Sequence, residues 1–120
     1  MKVLVVDDSF AMRMIVIKTA KKAGLGRDTF IQAADGAEGL EAIREHNPDL
    51  VLSDWNMPNM TGIEMLEALK AEGISVKFGF VTTEATTDMR LRARKAGALF
   101  LIAKPFTVES FEQALWVIMD

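Results

Sequence analysis

Five side chains in this sequence share a setting that suits metal and phosphoryl chemistry: Asp7, Asp8, Asp54, Thr82 and Lys104. Each stands at the end of a short apolar run. Val3-Leu4-Val5-Val6 ends at Asp7-Asp8, Leu50-Val51-Leu52 leads through Ser53 to Asp54, Phe78-Gly79-Phe80-Val81 ends at Thr82-Thr83, and Leu99–Ala103 ends at Lys104-Pro105. Apolar runs of this length read as buried strands. In open α/β sheets the C-terminal ends of the strands face the crevice where ligands bind. Carboxylates gathered there repel one another and raise at least one pKa. A hard cation relieves the repulsion. Magnesium takes oxygen ligands, usually one or two carboxylates plus waters, and favours sites that also carry a phosphate. A lysine in the same place meets a phosphoryl oxygen as a point charge, and a threonine hydroxyl adds a hydrogen-bond donor.

Taken singly, each residue has a plainer reading. Asp7-Asp8 suits a helix N-terminus, Lys104 a lysine snorkelling from a strand end, and Thr82 an ordinary strand position. A third acid on a separate strand end turns the balance, and the weight lies in the set. The charges support it: the carboxylates of Asp7, Asp8 and Asp54 are neutralised by one divalent cation and Lys104. A dianionic phosphoryl group on one acid adds about one further negative charge. Thr82, backbone N–H groups and Lys104 must then meet that charge, which rearranges the tip of the fourth strand and makes a usable switch.

The elements that must position these residues alternate. Lys2–Val6 reads as a central strand, followed by a helix from about Phe10 to Ala23, N-capped by Ser9 and ended by Gly24 and Gly26. Thr29–Ala33 reads as an edge strand, Asp35-Gly36 as a turn, and Ala37–His46 as a helix with Leu40 and Ile43 inward, closed by Pro48. Leu50–Asp54 is the next strand. A loop with Pro58 leads past Gly62 into a helix from Thr61 to about Ala71, with Ile63, Leu66 and Leu69 inward and Gly73 at its end. Val76–Thr82, a helix over Ala85–Ala96 ended by Gly97, and Leu99–Ala103 follow. The last helix starts after Thr107, with Val108, Phe111, Leu115 and Met119 inward. Five βα units with short connections imply a parallel sheet with helices on both faces, because each parallel crossover needs a helix and crossovers are right-handed.

The chain has 120 residues, half of them apolar, a net charge of −3 and no cysteine. That is room for one domain with a real core. The absence of cysteine excludes a disulfide framework and thiolate metal sites, and fits a reducing, cytoplasmic setting. No apolar run reaches the roughly 18 residues of a membrane span. Nothing at the N-terminus reads as a signal peptide, and a single domain over residues 1–120 without an output domain is expected.

At the residues Val5-Val6-Asp7-Asp8-Ser9, Asp54-Trp55-Asn56-Met57-Pro58-Asn59-Met60-Thr61-Gly62, Val81-Thr82-Thr83-Glu84-Ala85 and Ala103-Lys104-Pro105-Phe106-Thr107, the chain resembles the receiver domains of two-component response regulators. The likeness runs over essentially the whole chain and is nearest to the single-domain regulators of chemotaxis. It implies a flavodoxin-like (βα)5 fold of strand order 2-1-3-4-5, an order carried over from the family and not read from this sequence. It also implies that Asp54 is the phosphoacceptor and that Thr82 and Lys104 bind the phosphoryl oxygens. Magnesium would be held by Asp8 and Asp54, by the Asn56 backbone carbonyl and, through water, by Asp7. A cis Lys104–Pro105 peptide is expected. Asn56 and Glu84 occupy the family's two variable positions that tune dephosphorylation, in the fast-decaying pattern of chemotaxis regulators. The family's aromatic switch residue on the fifth strand falls at Leu101, and the chain has no tyrosine, so coupling from Thr82 to a rotating aromatic is in question. Phe100 should point to the other face of the sheet. Ser9 stands where chemotaxis regulators often carry a bulkier residue.

Two surfaces are candidates for partners. By resemblance, the face made by the fourth helix, fifth strand and fifth helix meets the target. Here it offers Arg90 and Arg94, with Trp116 and Val117 away from the last helix's core stripe. An acidic amphipathic peptide or a dimer partner suits such a face; the other reading is a Trp folded over its own helix. On the first helix two apolar stripes compete. The resemblance assigns Met12, Val16, Ala20 and Ala23 to the core and leaves Phe10, Met14 and Ile17 to dock the phosphodonor histidine kinase. A phosphatase and a flagellar motor switch are further partners the resemblance implies. The basic run Arg90–Lys95 lacks aromatic neighbours for base stacking in an acidic chain, so nucleic acid is not expected.

The leading reading is a phosphorylation-dependent switch whose chemistry acts only on itself. A magnesium phosphotransferase or phosphatase with an aspartyl-phosphate intermediate usually carries a general acid two residues after its nucleophile. Asn56 stands there and cannot serve. A receiver-like module that binds without phosphorylation conflicts with the intact set of acids, threonine and lysine, although Leu101 leaves it open. A flavodoxin-like nucleotide binder lacks a phosphate loop after the first strand.

Overall fold

In the computed structural model, which describes the backbone of residues 1–119 and the side chains of residues 1–118, the elements alternate strictly. They are β1 (Lys2–Val6), α1 (Phe10–Ala20), β2 (Thr29–Ala33), α2 (Gly36–His46), β3 (Leu50–Ser53), α3 (Gly62–Ala71), β4 (Lys77–Thr82), α4 (Thr87–Ala96), β5 (Phe100–Ala103) and α5 (Val108–Met119). The strands form one parallel sheet in the order β2-β1-β3-β4-β5, the flavodoxin-like receiver arrangement. β2 is an edge strand, as expected, and its side chains are largely half-buried or exposed.

Because successive side chains on a strand point to opposite faces, the apolar runs feed two cores. Leu4, Val6, Val51, Phe78 and Phe80 pack with Leu40 and Ile43 of α2, Ile63, Leu66 and Leu69 of α3, and Ala93 and Ala96 of α4. Val3, Val5, Leu52, Val81 and Ile102 pack with Val16 and Ala20 of α1 and Phe111, Leu115 and Ile118 of α5. Met119, expected inward, has its side chain outside the described residues.

Helix starts are set by side chains that accept the otherwise unpaired first N–H groups. Ser9 accepts from Met12, Thr86 accepts from Met89, and Thr61 and Glu64 form a reciprocal capping box. Asp35 accepts from Glu38, so Asp35-Gly36 is the start of α2 and not a separate turn. α4 begins at Thr87, two residues later than its apolar pattern suggests, because Thr86 provides the cap. α1 runs regularly to Ala20, then widens into a π turn over Lys21–Leu25 that ends through Gly24 at φ 126° and buries Leu25.

On α1, Val16 and Ala20 are fully buried, while Met12 and Ala23 pack partly against the same core. Ile17 corrects the expected second stripe: it also packs against the core shared with α5. The outward face is led by Phe10, 63% exposed, and Ile15, with Met14 half-buried.

The chain passes through a tight place at the first residue of α3. A Cβ added at Gly62 would fall on the Asp54 carbonyl oxygen, with Phe80 at 2.9 Å and Ser53 Oγ at 3.0 Å. The nearest obstacle is backbone, which cannot swing aside. Gly62→Ala is therefore expected to cost about 3 kcal/mol, at the upper end of overpacking effects. Urea unfolding checks this, and a loss below about 1 kcal/mol would mean the loop relaxes freely.

Candidate functional site

The parallel sheet brings the ends of β1, β3, β4 and β5 to one edge, and with them the predicted residues. β1 lies between β2 and β3, so the Asp7-Asp8 tip adjoins Asp54, whose N–H donates to the Val6 carbonyl at 2.9 Å. Carboxylate oxygens of Asp7, Asp8 and Asp54 lie within 4.8 Å of one another. Lys104, 97 residues from Asp7 in sequence, bridges them: Nζ donates to Asp7 Oδ2 at 3.1 Å and to Asp54 Oδ2 at 3.4 Å. The side chains of Lys104, Asp7 and Asp54 are 10%, 6% and 13% exposed. Such a cluster of acidic oxygen donors fits a hard, oxygen-seeking divalent cation and offers nothing to a soft metal.

Burial pushes the Asp54 carboxyl above its ordinary range. Lys104 and the Trp55 N–H, which donates to Oδ1 at 2.7 Å, pull it back down, and the negative charge of Asp7 pushes it up again. One positive charge thus restrains a pocket of three acids only in part, and added positive charge would be bound favourably there.

Thr82 is fully buried at the end of β4, and its Oγ1 accepts only a long bond, 3.5 Å, from the Glu84 N–H. Thr82 pairs with Ala103, and Phe80 with Leu101. Thr82 and Leu101 therefore share a face of the sheet. Leu101 packs beside the α2–α4 core, whereas Phe100 packs against the α1–α5 core, its ring filling the space a side chain at position 79 would take. Leu101 also lines a groove of about 100 Å³ with Arg90, Ala93, Arg94, Ala98, Leu99 and Phe100. Trp116, 73% exposed, and Val117 stand outside that lining. Asn56 and Glu84 are both exposed and touch, Asn56 Nδ2 donating to Glu84 Oε1 at 3.3 Å. The Lys104–Pro105 peptide is cis.

Three further residues support the site in roles the sequence reading does not assign them. Arg13 of α1 donates from Nη1 to the Asp7 carbonyl at 2.6 Å and from Nε to Gln32 at 2.9 Å, and stands 5.5 Å over the Phe10 ring. Asp35 and Asn59 are hydrogen-bonded at 2.7 Å. Asp35 was legible in principle, since an acid followed three residues later by Glu38 is a helix-start signature. Nothing in the sequence couples Asn59 to a residue 24 positions away.

A sheet of this order with an acid cluster and a bridging lysine at its C-terminal edge defines a class, and the sequence relationships agree. Residues 3–116 match the family model described as the response regulator receiver domain, and the chain belongs to that family. Receiver domains are signalling switches of two-component systems rather than conventional enzymes. Among individual relatives, the chain is similar to chemotaxis protein CheY of Pseudomonas aeruginosa, 34% identical over 122 residues that cover 100% of this chain and 97% of that protein. It is equally similar to sporulation initiation phosphotransferase F of Bacillus subtilis, 34% identical over 95% of this chain and 90% of that one. Its fold matches the crystal structure of chemotaxis protein CheY4 of Vibrio cholerae with a TM-score of 0.85, at 32% identity over 98% of both chains. Among the described residues, no helix is long and apolar enough to cross a membrane.

Proposed function

We propose that this protein is a cytoplasmic response regulator switched by magnesium-dependent phosphorylation of Asp54. The observation that carries the reading is the cluster of Asp7, Asp8 and Asp54, in which Lys104 bridges the largely buried carboxylates of Asp7 and Asp54 while Asp8 is exposed. Asp7, Asp8, Asp54 and the Asn56 carbonyl would hold magnesium, which when bound offsets the charge of the carboxylates and of an incoming phosphoryl group. An Asp54 carboxylate oxygen attacks the phosphorus of the donor, the new O–P bond forming as the bond to the donor's leaving group breaks. Lys104 leaves Asp54 for a phosphoryl oxygen, and the Thr82 hydroxyl, held by a long bond, is free to donate to another.

Drawing Thr82 toward the phosphoryl group loosens packing on the face it shares with Leu101. Leu101 has no hydroxyl to anchor an inward or outward position, so the change is read as repacking at the groove it lines with Arg90 and Arg94. That face, with Trp116 and Val117 beyond it, meets the target, for which a flagellar motor switch is the first candidate and a phosphate-sink role the alternative. Asn56 and Glu84, in contact beside the acids, set the rate at which water removes the phosphoryl group, with or without a phosphatase.

Incubation with acetyl phosphate and magnesium is expected to add one phosphoryl group to the intact mass, and a chelator should prevent it. No adduct and no response of Trp55 fluorescence to magnesium would overturn the reading.

The phosphodonor kinase docks on the outward face of α1, where Phe10 is exposed and Met14 half-buried, while Ile17 is drawn into the core shared with α5. Met14→Lys is expected to slow transfer from a histidine kinase domain about tenfold, through an unpaired charge in an apolar contact, while leaving the acetyl phosphate rate unchanged. Equal slowing of both reactions would place the effect in the site and not in docking.

A further inference from the structure

The loop from Asp54 to Thr61 has no regular structure, yet it carries the phosphoacceptor and the backbone carbonyl proposed for the metal. Something must hold it. Gly62 N–H donates to the Trp55 carbonyl at 2.8 Å and closes one end. The far side rests on the start of α2. There Gly36 N–H donates to the Met60 carbonyl at 3.0 Å, so closely that a Cβ at position 36 would stand 2.5 Å from that oxygen and 2.9 Å from the Thr61 carbonyl. Beside this contact Asn59 sits at φ 66°, a left-handed conformation that asparagine adopts more readily than most residues but at some cost. Its Nδ2 donates to Asp35 Oδ2 at 2.7 Å.

Asp35 is committed on both sides. Oδ1 accepts from the Glu38 N–H at 2.8 Å as the cap of α2, and Oδ2 accepts from Asn59. The residue is only 7% exposed. These two bonds, the cap first, hold its carboxyl below the ordinary range. A short bond to an ionised acceptor is among the stronger hydrogen bonds, and this one ties an irregular loop to the rigid end of a helix.

We infer that Asp35 is a positioning residue: through Asn59 it latches the Asp54–Thr61 loop onto the N-terminus of α2 and so sets the place of the Asn56 carbonyl in the metal site. The inference rests on the metal reading given above. A backbone ligand cannot be tuned by its own side chain, so its placement depends on what fixes the loop, and small displacements of ligating groups are costly.

A polarity exchange tests this. Asn59→Asp sets two carboxylates against each other, whereas Asp35→Asn combined with Asn59→Asp restores an amide–carboxylate pair in reverse. Asparagine caps helices as well as aspartate does, so α2 keeps its start in the double variant. Two quantities are read in a Trp116→Phe background: amide hydrogen exchange of residues 55–61 without metal, and magnesium affinity from Trp55 emission. Asn59→Asp is expected to weaken magnesium binding about tenfold and to speed loop exchange by a similar factor, with both recovering to within about threefold in the double variant. The added negative charge alone would tighten cation binding, so weaker binding reports the loop. Faster exchange with unchanged or tighter magnesium binding would overturn the inference, as would failure of the double variant to recover. A wild-type protein that binds no magnesium would overturn the metal reading and this inference with it. Equal affinity in wild type and Asn59→Asp would overturn the inference alone.

Discussion

Asp54→Asn is expected to abolish phosphorylation by acetyl phosphate and, at neutral pH without metal, to make the protein more stable than wild type. The first effect is chemical: an amide oxygen is too weak a nucleophile to form the acyl phosphate, and intact mass should show no adduct at any magnesium concentration. The second follows from where Asp54 sits. Its carboxyl titrates above the ordinary value of 3.8, because burial and Asp7 together outweigh the relief given by Lys104 and the Trp55 N–H. Between that ordinary value and the raised folded value the native state holds more protons than the unfolded one, so wild-type stability falls as pH rises through this window. Above the window the loss is complete. Asparagine keeps the Trp55 contact, carries no charge, and is spared that loss. Urea unfolding of both proteins across acid to neutral pH measures the difference directly. Magnesium should reverse the order, since a ligand present at about 100 times its dissociation constant stabilises by about 2.7 kcal/mol, and the variant has lost one anionic ligand. Unfolding curves that differ by a constant at every pH would show that the Asp54 charge is not under strain.

Lys104→Ala is expected to slow acetyl phosphate transfer about 100-fold, the usual scale for losing one preorganised donor to a developing anion, without weakening magnesium binding. The two effects separate because Lys104 is the only cation hydrogen-bonded to the side-chain carboxylates of Asp7 and Asp54 among the described residues. Removing it leaves the acid cluster more negative, which favours a divalent cation, but takes away the ammonium that would receive a phosphoryl oxygen. The Asp54 carboxyl should also move further up, since Lys104 is the largest influence holding it down. The rate should then rise toward higher pH than in wild type. A parallel fall in magnesium affinity and transfer rate would instead mean that Lys104 holds the acids in place.

Much of this protein is determined by its sequence alone. Apolar runs ending at Asp7, Asp54, Thr82 and Lys104 reveal four strands that end at a common edge, because alternating β and α segments leave a parallel sheet as the solution. Period and punctuation also place Leu40, Ile43, Ile63, Leu69, Phe111 and Leu115 inside, where they are found. The motifs around Asp54 and Lys104 are local strings, so the family was legible before the fold.

Other features depend on contacts between segments distant in sequence, and local patterns carry no record of these. On α1, periodicity supports two stripes. Only docking against α5 decides that Val16 and Ala20 go fully inside and that Ile17 joins them at the edge. Whether Lys104 snorkels or neutralises acids depends on β1, β3 and β5 bringing their tips together, which strand order alone achieves. Asp35 reads locally as a turn or a cap, and its bond to Asn59 exists because α2 and the loop after β3 meet above the same sheet edge. Short-range pattern sets which elements form and which faces are apolar, while the electrostatics of the site arise from charges joined across the fold, Lys104 and Asp7 being 97 residues apart.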